Sequence, residues 1–374
     1  MTASPFSDLP GAVSPGSAPE HFGNPVREQV LLERGEAIVH LGDRAVISVS
    51  GPERLTWLDS ITSQALAALA PGVSTELLVL DPHGHIEHQA AVLDDGETTW
   101  LVADAPDAAA LEAWLRRMVF RSQVTVSAAA EVAVVGAVAQ DGRMPQVLDA
   151  HVRAPAGIPL VWIDPWRGVA EGGVQYAAAS PHPGSRLAWA LALVPADDLA
   201  QIAAQLGDGP DGIRPAGLLA AEALRIAAWR PRRSGDVDER TLPHELDWLR
   251  SAVHLSKGCY RGQETVAKVH NLGHPPRRMV FLHLDGSGAE LPQPGAEVRH
   301  DGKSIGRVTS AALHHEQGPI ALAVVKRTAP IDQPLTVAGD DGDIAASAEV
   351  IVPPEAGAAA AVPRLPRLSS RARS

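Results

Sequence analysis

The spacing of apolar and polar positions divides the chain into a mixed helix-and-strand body and an all-strand end. "EAIVHL" and "AVISVSG" flank Gly42-Asp43 and predict a β-hairpin. Ser50 and Glu53 have capping-box spacing and open a predicted helix. Its apolar face carries Leu55, Leu58, Thr62, Ala65 and Leu69, and Pro71-Gly72 ends it. The three strand-like runs of "ELLVLDPHGHIEHQAAVLDDGETTWLVAD" predict a meander. A second helix, over 107–118, turns Ala110, Leu111, Trp114, Leu115 and Met118 to a core. The middle third is richer in Pro and Gly. It holds strand-like "EVAVVGAV" and "PLVWID" and helical "ADDLAQIAAQLG" and "PAGLLAAEALRIAAWR". Beyond Pro275-Pro276, about five or six short strands separated by Gly, Pro and Asp predict a small antiparallel barrel.

The expected fold class is therefore α+β and multidomain, with a C-terminal antiparallel β-barrel. The expected boundaries are a disordered tail over 1–26, an α+β region of two interlaced subdomains over 27–275, the barrel over 276–353, and a disordered tail over 354–374. At 374 residues the chain exceeds the size of a single core, which agrees with more than one domain. Its 45% apolar and 20% charged content is that of an ordinary globular protein. A net charge of −12 argues against direct nucleic-acid binding and against anionic membranes as partners. The N-terminal "MTASPFSDLPGAVSPGSAPEHFGNP" lacks the apolar core of a signal peptide, and no window reaches a transmembrane length. A cytoplasmic location is expected.

The chain carries no glycine-rich phosphate loop of either common kind. Its single cysteine excludes an intramolecular disulfide, a thiolate zinc site and self-sufficient iron–sulfur ligation. His83, His85 and His88 in "DPHGHIEH" read as a polar hairpin tip, and no metal site is expected there or at His314-His315. Cys259 stands apart. It lies in "LSKGCYRGQETVAKVHNLG" between Lys257 and Arg261, and two cations beside a thiol favour its thiolate. A buried structural cysteine ordinarily has apolar neighbours, whereas these flanks are Lys, Gly, Tyr and Arg. That context favours a reactive or ligand-facing sulfur. A Cys–His dyad with His254 or His270 is the lesser alternative.

"KGCYRGQE", Lys257 to Glu264, resembles the K-G-C-[FY]-x-G-Q-E signature of the YgfZ-type folate-binding proteins, relatives of the glycine cleavage T-protein aminomethyltransferase. "EALRIAAWRP" upstream and "NLGHPPRRMVFLHLDG" downstream resemble the family's Arg-containing helix and its entry into the barrel. The likeness covers roughly 27–352, strongly at the motif and loosely through 130–215. It implies interlocked domains around a central hole for tetrahydrofolate. It also implies an accessory role in iron–sulfur cluster assembly or repair, with iron–sulfur client proteins as partners and a link to tRNA modification. By position, Cys259 becomes the functional thiol and Lys257 its basic neighbour. Gly258, Tyr260, Gly262, Gln263, Glu264 and Arg225 become contacts to the cofactor. Two departures stand out, the first counting against aminomethyl transfer of the T-protein kind and the second against its mode of pterin binding. His88 and Gln89 stand where T-protein-like enzymes carry paired aspartates, and Ala227 stands where they place a pterin-contacting Glu. Three readings follow: a folate-binding accessory protein, a folate-dependent aminomethyltransferase or demethylase, and a scaffold that no longer binds folate.

Overall fold

The computed structural model describes residues 4–207, 212–287 and 290–360. Helix α1 (Pro25–Glu33) starts with proline behind an Asn24 cap, whose side chain accepts the Arg27 N–H. Strands β1 (Ala37–His40) and β2 (Arg44–Ser50), helix α2 (Arg54–Ile61), strands β3 (Ser74–Leu80), β4 (Ile86–Asp94) and β5 (Thr98–Asp104), helix α3 (Ala105–Met118) and β6 (Thr125–Ala128) follow. Five of these strands form an antiparallel sheet in the order β3-β4-β5-β2-β6. Leu77 and Val79 of β3 pack with Trp57 and Leu58 of α2 and with Leu111 and Trp114 of α3. Leu78 and Leu80, on the opposite face, belong to a different core. Burial on both faces explains why β3 reads as an unbroken apolar run.

A second sheet has the order β10-β1-β7-β9-β8. It combines β1 with β7 (Val132–Val138), β8 (Val161–Ile163), β9 (Trp189–Pro195) and β10 (Arg214–Ala216); α4 (Leu199–Gln205) lies between the last two. Only the β1–β10 pair is parallel. Helices α5 (Leu218–Ala227), α6 (Arg233–Asp236) and α7 (Gln263–Leu272) lead to the final domain. There β11 (Arg277–Leu284), β12 (Glu297–His300), β13 (Lys303–His314), β14 (Gly318–Lys326), β15 (Leu335–Ala338) and β16 (Asp343–Val350) close a six-stranded antiparallel barrel. The expected α+β class and terminal barrel are both present.

Several local expectations are overturned. β1 and β2 do not form a hairpin: β1 pairs with β7 and β10, and β2 with β5 and β6. The chain passes from one sheet to the other at Gly42. A Cβ there would lie 2.8 Å from the Ser17 carbonyl oxygen, which itself belongs to the segment expected to be disordered. Residues 4–24 are in fact packed. Phe6 and Ala18 are buried, the Ser4 hydroxyl lies 2.7 Å from His40 Nδ1, and Ser17 Oγ donates to the Gly42 carbonyl. Two buried apolar side chains and these bonds order a stretch whose composition alone shows no periodicity.

Helix α2 begins at Arg54 without a side-chain cap, and it ends at Ile61 rather than near Leu69. Ala110 of α3 is exposed, although its neighbours Leu111, Trp114 and Leu115 are buried. At the other end Ala356 is buried, and the amides of Ala359 and Ala360 bond to carbonyls of α7, so the expected tail does not begin at 354. The rest of that tail, 361–374, lies outside the described residues.

Candidate functional site

The motif loop is fastened to the first sheet from one side. Lys257 extends into the interior, its side chain 3% exposed, and Nζ donates to the carbonyls of Asp59, Thr62 and Gln64. These carbonyls lie where α2 stops, so Lys257 caps the C-terminal end of that helix from a distant part of the chain. Burial pushes the Lys257 ammonium down, and Asp59 opposes that shift. The same junction is tied a second time through the backbone, where the Ser63 carbonyl accepts the His254 amide at 3.0 Å.

The other motif residues divide between this staple and the surface. Tyr260 is buried with its ring 5.2 Å from Lys257 Nζ, its hydroxyl has no partner, and burial pushes the phenol up. Gln263 Nε2 donates to the Lys257 carbonyl at 3.1 Å. Gly262 precedes α7 at φ +84°, and a Cβ there would lie 2.6 Å from the Asp81 carbonyl oxygen. Gly258 has open space around it, and Glu264 is exposed. Arg261 is paired with Glu87 at 2.7 Å. Cys259 is exposed, and the cations on either side of it are engaged elsewhere. Among the described residues no hydrogen bond joins it to His254 or His270; His270 instead lies 3.0 Å from the Tyr176 hydroxyl.

Arg225 is not part of that group. It lines a cavity of about 100 Å³ between the two sheets, together with Gln89, Trp162, Asp164, Trp189 and Arg230. None of residues 257–264 lines it. The volume corresponds to about three waters and is below the roughly 300–1,000 Å³ of sites for drug-sized ligands. There is room for one ring, and the rest of a larger ligand would lie outside.

The polar wall is a network of buried ion pairs. Arg225 bonds Glu222 at 2.8 Å, Asp236 at 2.7 Å and the Arg230 carbonyl at 2.6 Å. Arg232 bonds Asp43 at 2.6 Å and Asp104 at 3.0 Å, and Arg44 also pairs with Asp104. Arg230 bridges Glu76 at 2.8 Å and Asp164 at 3.0 Å, with its guanidinium over the rings of Trp166 and Trp248. Burial pushes the Asp164 carboxyl up, Arg230 opposes this, and Glu76 adds to it. Two carboxylates thus share one guanidinium. Arg230 Nη1 and Glu76 Oε1 are buried without partners. Trp229, buried at φ +57°, turns the chain after α5 so that Arg230 re-enters the core; such a conformation costs a bulky residue about 1–2 kcal/mol. Sequence reasoning singled out Arg225 but missed Arg230, Glu76 and Asp164. The available signal was the run of arginines at Arg230, Arg232 and Arg233 directly after a tryptophan.

The histidines do not converge on a metal at the hairpin tip: His85 pairs with Asp81 and His88 with Asp107, each at 2.9 Å. Glu33, His314 and His315 do bring three ligand atoms within 4.8 Å of one another. His314 Nδ1, however, accepts the amides of Glu316 and Gln317, which assigns the ring proton to Nε2 and leaves no lone pair for a metal. His315 is paired with Glu33 at 2.9 Å.

Residues 277–354 match the glycine cleavage T-protein C-terminal barrel domain. An aminomethyltransferase of a Nostoc species is 25% identical over 330 residues, 85% of each chain. One from Rippkaea orientalis is 39% identical over 121 residues, 31% of each chain. The crystal structure of glycine cleavage system aminomethyltransferase T from Bartonella henselae shares the fold, with a TM-score of 0.70 at 19% identity over 94% of this chain and 97% of that one. Residues 277–354 thus match the T-protein barrel domain, and the whole chain shares the fold of an aminomethyltransferase.

Proposed function

We propose that the protein is a YgfZ-type accessory factor: it holds the ring end of a tetrahydrofolate-type ligand between the sheets, does not transfer aminomethyl groups, and supports iron–sulfur enzymes through Cys259. The observation that carries this reading is Gln89. It lines the cavity at the position where the family resemblance expects an aspartate, and its Nε2 donates to Glu76 at 3.1 Å. An amide cannot deprotonate an aminomethyl donor. The cavity's carboxylates, Asp43, Asp164 and Glu222, are each bonded to an arginine.

The chemistry of the cavity suits a flat, polar ring. Arg230 contributes a guanidinium to its wall, and Trp162 and Trp189 supply apolar faces. Tetrahydrofolate, when bound, supplies ring nitrogens able to carry a one-carbon unit. Cys259 is exposed on a loop anchored by Lys257, which supports a role toward a partner rather than in the cavity.

Incubation with tetrahydrofolate and a panel of aminomethyl and N-methyl donors tests the first part. No methylene-tetrahydrofolate is expected, and turnover with any donor would restore the transferase reading. For the second part, a deletion strain carrying Cys259→Ser should lack iron–sulfur enzyme activity; full rescue would remove the thiol from the mechanism. The small cavity favours one rival, a scaffold without folate, and absence of binding at high micromolar tetrahydrofolate would support it.

A further inference from the structure

We infer that the end of α3 is a docking site for an acidic protein segment, anchored by Phe120. This side chain is 86% exposed and sits at φ +43°, directly after the helix cap at Val119. Glycine adopts that conformation freely, whereas a bulky residue there is an outlier. Folding therefore gives no reason for phenylalanine at this position. The backbone around it is fixed: Trp57 Nε1 donates to the Met118 carbonyl at 3.1 Å, and the Ser122 amide to the Val119 carbonyl at 2.9 Å. The aromatic ring is thus presented on a held turn, a geometry suited to an interface anchor.

Charge selects the partner. Arg117 and Arg121 flank Phe120, are exposed, and have no ion-pair partner among the described residues, whereas Arg116 is paired with Glu112. A chain of net charge −12 repels a polyanion at long range. A protein segment bringing a few carboxylates around an apolar side chain meets little of that repulsion and matches the two free guanidiniums.

The test is selection of the full chain against a random peptide display library, followed by titration of the selected peptides. Enrichment of Asp and Glu around an apolar residue is expected. Affinity should fall at least tenfold in Phe120→Gly and in Arg117→Glu, with thermal unfolding of Phe120→Gly unchanged or higher. Selected peptides without acidic enrichment, or equal binding by Phe120→Gly, would overturn the proposal. So would tighter binding of a single-stranded RNA oligonucleotide or of phosphatidylglycerol vesicles.

Discussion

Replacing Lys257 by Met separates two roles that the sequence leaves mixed: a cation for the Cys259 thiol, and a structural cap. Methionine keeps an unbranched chain one atom shorter but removes the donors to Asp59, Thr62 and Gln64. Thr62 and Gln64 are buried, so their carbonyls would lose a partner without ready access to water. At about 1 kcal/mol for each bond, and with relief of the ammonium's own burial cost, the loss is roughly 2–3 kcal/mol. Hydrogen exchange reads it locally at the His254 amide, which bonds to the Ser63 carbonyl at 3.0 Å. If that bond opens with the loop, exchange should accelerate by about 10²-fold, since about 1.4 kcal/mol is a factor of ten. Thiol labelling of Cys259 should stay the same or become faster as the loop loosens. Unchanged exchange together with severalfold slower labelling would refute the cap and return Lys257 to the thiol.

Gly262→Ala should cost about 2–4 kcal/mol in urea unfolding, from the left-handed φ and the 2.6 Å approach to Asp81, whereas Gly258→Ala should stay within about 0.5 kcal/mol. Phe120→Gly should raise stability by about 1 kcal/mol, read by calorimetry, because glycine relieves the φ of +43°. Acid should destabilise the fold below pH 6.5. Burial pushes His244 down to about 4, so its contribution is present above 6.5 and lost as pH falls toward 4, amounting to about 2 kcal/mol by pH 5. His40 and His182 act in the same direction, while Asp247, raised by burial to about 7, acts the other way and loses its contribution as pH rises through 7. His314, also lowered to about 4, acts with the histidines, and Asp164 and Glu245, also raised by burial, act with Asp247, so the readout is a difference: from pH 7 to pH 5 the urea midpoint should fall less steeply in His244→Gln than in the natural protein.

The barrel was legible because its strands are short and separated by turn residues, so each local signal agrees with the closed sheet. Gly42-Asp43 misled because a turn signal does not tell whether the flanking strands pair with each other, and here they enter different sheets. The N-terminal segment is ordered by Phe6 and Ala18, whose burial depends on distant surfaces that composition does not reveal. The motif drew attention to Lys257 and Gly262, but not to their work: both hold the loop in place. The cavity was largely illegible. Glu76, Asp164 and Arg230 come from separate parts of the chain, and nothing local marks them as one buried group.

Entry of a folate ring into the cavity between the sheets, as proposed above, is read by calorimetric titration with tetrahydrofolate. Ala221 lines that cavity from α5, and Ala221→Leu fills it while keeping a good helix former. Binding of one molecule per chain by the natural protein, at least tenfold weaker in Ala221→Leu with unchanged thermal unfolding, is the predicted result. Equal affinity in the variant, or no binding by the natural protein at high micromolar ligand, would contradict it.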